Sequence, residues 1–81
     1  MYMLIYCVDH DIDKSVYATH EAAYEAMLSR IANLTGERPE PDADGYTTIA
    51  GGVGEVFYNR AYLIAPAYGD GNNYDWVILE V

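Results

Sequence analysis

Apolar positions along this chain follow two rhythms, one of strands and one of a helix. Tyr2 to Val8 (YMLIYCV) is apolar without a break and rich in strand formers, the pattern of a strand buried on both faces. Asp9 to Lys14 is a polar turn, and Ser15 to Thr19 (SVYAT) predicts a short second strand, hairpin-paired with the first. Thr19 then offers a helix N-cap. Tyr24, Met27, Leu28, Ile31 and Leu34 recur at i, i+3, i+4, i+7 and i+10, so the spacing predicts an amphipathic helix over His20 to Leu34. Ala23 borders the apolar stripe, and Gly36 stands where a left-handed residue ends a helix.

Beyond the helix, Glu37 to Gly45 (ERPEPDADG) holds two prolines and four acids, which makes it an extended surface connection. Tyr46 to Ala50 predicts a third, short strand, and Gly51, Gly52 and Gly54 a turn. Glu55 to Ile64 reads as one long fourth strand, Pro66 to Asn73 as a loop, and Tyr74 to Val81 as the closing strand. The order β-β-α-β-β-β predicts an α+β fold: one amphipathic helix packed on a mostly antiparallel sheet of four to five strands. The helix stripe is expected to pack on Leu4, Tyr6, Val56 or Phe57, Leu63, Val77 and Leu79. Arg60 turns its face of the fourth strand outward, since burying an unpaired guanidinium is costly. With Tyr74, Trp76, Ile78 and Glu80 also set outward, Tyr58, Tyr62 and Trp76 become an aromatic patch on the uncovered face, suited to a partner or a homodimer.

Length and composition fix the scale. Residues 1–81 leave room for a single core, hence one domain. The single cysteine, Cys7, allows no internal disulfide, which fits a reducing cytosol. The apolar N-terminal run is too short to span a bilayer. A cytoplasmic protein is expected.

Charge changes the picture most. Thirteen acids against four basic residues give a net charge of −9. Direct binding to nucleic acid or to anionic lipid is disfavoured by that balance. The candidate partner-binding acids are Asp9, Asp11 and Asp13 in the first turn, Glu21 and Glu25 on the helix, and Glu37, Glu40, Asp42 and Asp44 in the connection. Aligned along one edge, they would form a rail of carboxylates spaced like phosphates, able to occupy a Lys/Arg-lined groove. The bland counterpart is an acidic surface that serves solubility alone.

Other chemistry is poorly supported. Asp9, Asp11 and Asp13 begin like a calcium loop, but Lys14 sits where the turn needs Gly and His20 where a bidentate Glu is needed. His10 and His20 lack a metal-ligand spacing. Gly51-Gly52-Val53-Gly54 leads into a strand and not a helix, so it does not form a phosphate loop. No nucleophile motif and no cleft-sized scaffold point to catalysis. No cofactor, no metal and no enzymatic activity are expected.

The small size, the acidity, one helix (THEAAYEAMLSRIANLTG) and the acidic segments DHDID and ERPEPDADG resemble small phage-encoded inhibitors, the anti-CRISPR proteins foremost. The resemblance is one of style over the whole chain, without a diagnostic motif. It implies stoichiometric inhibition by DNA mimicry at the nucleic-acid-binding surface of a CRISPR effector complex. Two other classes remain open at this point: an immunity protein or antitoxin that neutralises a basic toxin, and a small metal- or ligand-binding accessory domain.

Overall fold

A computed structural model describes residues 1–8, 11–49, 53–64 and 73–81. Seven elements follow in order: β1 (Tyr2–Val8), β2 (Asp11–Tyr17), α1 (His20–Thr35), β3 (Thr47–Thr48), β4 (Val53–Phe57), β5 (Arg60–Ile64) and β6 (Tyr74–Glu80). The strands form one six-stranded sheet in the order β2-β1-β6-β5-β4-β3, antiparallel at every pairing. The helix lies on one face of it, against β1, β6 and β2. The fold is therefore the α+β class expected, with more strands.

The helix forms where its signals place it. The Thr19 hydroxyl accepts from the Ala22 amide at 3.1 Å, satisfying one of the orphan donors of the first turn. Gly36 takes φ +80° and sends its N–H to the Ala32 carbonyl at 2.7 Å, a closure that favours glycine. Ala23, Met27, Leu28 and Ile31 are fully buried, and Tyr24 and Leu34 pack at the margin of the core.

Three expectations about strands are corrected. First, β2 starts at Asp11, so Asp11 and Asp13 lie on an edge strand and not in a turn. Their charges suit that place, because charged edge residues discourage pairing with another chain. Asp9, His10, the Gly51-Gly52 turn and most of the Pro66 to Asn73 loop lie outside the described residues. Second, the long fourth strand is two strands, joined by the residues Tyr58 and Asn59, with Phe57 opposite Arg60. The reversal resets the alternation: Val56 now faces the helix together with Ala61 and Leu63, while Phe57 shares the outer face with Arg60. Third, β6 has the opposite facing to that expected. Tyr74, Trp76 and Ile78 are buried, Trp76 completely, while Val77 and Leu79 turn to the uncovered face.

Trp76 is therefore no member of a surface patch. It is the largest fully buried side chain of the core and packs in a three-ring cluster with Tyr6 and Tyr74, at centroid distances of 5.4 and 6.0 Å. Burying so large an apolar surface under the helix outweighs the pull of Glu80, which reaches water from the strand end whichever way the strand faces. The same accounting explains why Val77 and Leu79 do not meet the helix stripe.

Candidate functional site

Strand register sorts the charged residues onto two sides. Cross-strand partners share a face, so Asp11, Asp13 and Glu80 point to the helix side, with Val8, Tyr6 and Tyr2. Glu21 and Glu25 are on the helix, and Glu37, Glu40, Asp42 and Asp44 on the connection that follows it. The uncovered face holds Glu55 and Asp75 alone among the described acids. Arg30 and Arg38 are on the helix side, and Lys14 and Arg60 on the uncovered face. The described charges of the uncovered face thus balance to zero, and Asp11, Asp13, Glu21, Glu25, Glu40, Asp42 and Glu80 sit on the helix side.

Within that side, the connection turns back along the helix and encloses a cleft of about 550 Å³. One wall is the flank Glu21, Tyr24, Glu25 and Leu28, at the i, i+3, i+4, i+7 spacing of one helix face. The other wall is Arg38 to Ala43, and Tyr58 and His20 close one end. Asp42 fixes the return. Its Oδ1 accepts from the amides of Asp44 (2.9 Å) and Tyr46 (3.0 Å), while its carbonyl accepts from Gly45 (3.0 Å), an Asx-type turn. Gly45 at φ +80° completes it, and a Cβ there would meet the Tyr58 backbone at 3.3 Å. The Tyr24 hydroxyl donates to the Gly45 carbonyl at 2.8 Å and pins the turn to the helix.

The cleft end is an aromatic platform. His20 stacks on Tyr58 at 3.9 Å between centroids, and its Nε2 lies 2.8 Å from the Tyr58 carbonyl and 3.0 Å from Asn59 Oδ1. Both partners accept, so Nε2 carries a proton. Arg38 pairs with Glu25 across the cleft mouth, both half-exposed, a surface pair worth about 0–1 kcal/mol. Glu21 and Glu40 remain free of ion pairs among the described residues. Burial, and then the negative charges of Asp42 and Glu25, push the Tyr24 phenol above its ordinary pKa.

The nominated acids therefore divide. Glu21, Glu25, Glu40 and Asp42 meet at this cleft, Glu37 and Asp44 flank it along the connection, and Asp11 and Asp13 lie apart on the β2 edge. Tyr58 belongs to the cleft rather than to an aromatic sheet patch, and Tyr62 sits alone of the three on the uncovered face. There it and Tyr46 donate to the two carboxylate oxygens of Glu55. Those bonds, that from Tyr46 foremost, hold the Glu55 carboxyl below its usual range and push both phenols up. Sequence reading missed His20, Tyr24 and Arg38 as cleft residues. The signal for Tyr24 was its place at the edge of the apolar stripe, next to Glu25.

Among the described residues no group of three metal-ligating side chains could hold an ion, and no helix is long and apolar enough to cross a membrane. Family models, curated proteins and solved structures were compared with the chain, and none matches.

Proposed function

We propose that this chain is a non-enzymatic acidic binding protein whose helix side occupies the basic, nucleic-acid-binding surface of another protein. The gathering of Glu21, Glu25, Glu40 and Asp42 at one cleft, on the side that carries the negative charge, supports this reading. At the cleft, an incoming Lys or Arg head finds the carboxylates of Glu21 and Glu40 and the faces of Tyr24 and Tyr58. Cation–π contact there adds about 0.5–2 kcal/mol, according to how far the cation is desolvated. A CRISPR effector complex, blocked in the manner of a DNA mimic, is the target that the resemblance to anti-CRISPR proteins brings forward. A basic toxin would engage the same side.

The test is affinity capture from host lysate at two salt concentrations, with identification of what is held. Capture should weaken steeply with salt, and added DNA duplex should compete for the captured target. Reversing Glu37, Glu40 and Asp44 to Lys tests the cleft side, and reversing Asp11 and Asp13 tests the β2 edge. Asp42 is left intact because its carboxylate holds the turn. If both reversed sets capture as well as the parent chain, the carboxylates are not the binding surface. The identity of the captured protein separates a CRISPR effector from a toxin.

A further inference from the structure

The face opposite the helix is apolar, and no described element covers it. Ile12, Val16, Val53, Phe57, Ile64 and Leu79 all point to it and are 37–68% exposed. Between them run the half-buried Met3, Ile5 and Val77. Single exposed apolar residues are ordinary, but a field continuous over β6, β1 and β2, with Phe57, Val53 and Ile64 beyond Arg60, Tyr62 and Asp75, is not. An antiparallel sheet with one wet face alternates apolar and polar residues. β1 does not alternate: its unbroken apolar run is written for two covered faces, and the described residues cover one.

We propose that a second copy of this chain covers it, the two sheets packing face to face about a two-fold axis. Charge is the first reason. Each chain carries −9, yet the uncovered face is neutral: Arg60 lies 3.6 Å from Asp75, Glu55 is engaged by two phenols, and Lys14 completes the balance. Two copies meet there with no surplus of like charge. Their acidic layers point outward, two slabs of 15 Å apart and well beyond a Debye length of about 8 Å. Area is the second reason. The slab measures 34 × 31 Å across, so its face offers on the order of 1,000 Å², against roughly 800 Å² per partner in a standard stable interface. Sheets pack this way about 10 Å apart, with strands about 30° from alignment. An axis parallel to the strands sets the two middle strands over each other, β6 against β5, in an isologous contact, with Leu79 and Ile64 towards opposite ends of the face. An anionic lipid surface is a poorer occupant, because the charge on the far side repels it.

Sedimentation equilibrium on the full chain tests this. At about 100 µM the mass should be twice 9.0 kDa and fall on dilution. Raising salt from roughly 50 to 500 mM should lower the dimer Kd several-fold, since it screens the repulsion between two acidic chains. The double variant Leu79→Lys/Ile64→Lys, at positions 47% and 46% exposed, should raise Kd by at least about 100-fold, with an unchanged far-ultraviolet circular dichroism spectrum. The milder Leu79→Ser, read independently in case the double variant loses its fold, should raise it about tenfold. Glu21→Lys/Glu40→Lys, on the far side, should leave the dimer intact. A single-chain mass at both salts overturns the proposal, as does a dimer indifferent to Leu79→Ser. A single-chain mass together with binding to phosphatidylcholine vesicles overturns it too, and assigns the face to lipid.

Discussion

The two broad faces of this small slab are made of the same strands and differ in almost every physical respect. The helix side carries the net charge, a cleft, and a connection folded back and pinned by side chains. The uncovered side carries a neutral, apolar field whose acids are matched by Arg60, Tyr46 and Tyr62. The difference teaches that the negative charge of the described residues is not a uniform coat. The strands sort their own acids by alternation, and the helix and the connection after it add most of the rest on one side.

The sharpest contrast lies within β6, where neighbouring residues serve opposite sides. Trp76→Ala should cost about 3–5 kcal/mol, enough to unfold much of a chain whose total stability is on the order of 5 kcal/mol. Urea denaturation would show it. Leu79→Ser on the other face should change the stability of the dissociated chain by no more than about 0.5 kcal/mol. Comparable losses at the two positions would break the distinction between core face and open face.

Next in size is Gly54→Ala on β4. An added Cβ would lie 2.4 Å from the Tyr62 carbonyl oxygen and 3.1 Å from the Leu63 Cα. The two strands must shift apart, so a loss of about 2–3 kcal/mol is expected in the same denaturation experiment. A neutral substitution would mean that β4 and β5 pair less closely than the register requires.

Thr19→Ala removes the oxygen that caps Ala22 and should cost about 1 kcal/mol, with Thr19→Ser restoring most of it. This probes the helix side alone, since the helix start positions His20 and Glu21 at the cleft.

The smallest effect is a pH dependence confined to the uncovered face. The folded-state pKa of Glu55 lies below its ordinary 4.5. Its contribution is therefore fully present above 4.5 and lost as pH falls through the folded value. Tyr46 and Tyr62 are raised above 10.0, so theirs is present below 10.0 and lost as pH rises through the folded values. Glu55→Gln should flatten both ends of the stability profile slightly, as followed by thermal melts across pH. An unchanged profile would separate Glu55 from its two phenols.

How far these features were legible in the sequence depends on whether their signals were local. The helix was, because Thr19, the apolar stripe and Gly36 all lie within one segment. β2 was not, because alternating Asp residues resemble a turn until a neighbouring strand gives them an edge to guard. The Tyr58-Asn59 reversal carries no glycine or proline, so β4 and β5 looked like one strand. The facing of Trp76 could not be decided from β6 alone, where Glu80 suggested one parity and burial under the helix imposes the other. At the candidate site the acids were visible as a count, but their meeting needed the connection to fold back along the helix. The cleft needed contacts across long spans of chain, Arg38 with Glu25 and Tyr24 with Gly45.

Two charge-reversed variants put the comparison of faces to its most direct test. Glu21→Lys/Glu40→Lys and Glu55→Lys/Asp75→Lys shift the net charge by the same amount on opposite sides of the slab. Affinity for the captured target, measured at low salt, should fall about 10–100-fold for the first pair and stay within about twofold for the second. Equal losses from both would mean that the target senses total charge and not a face.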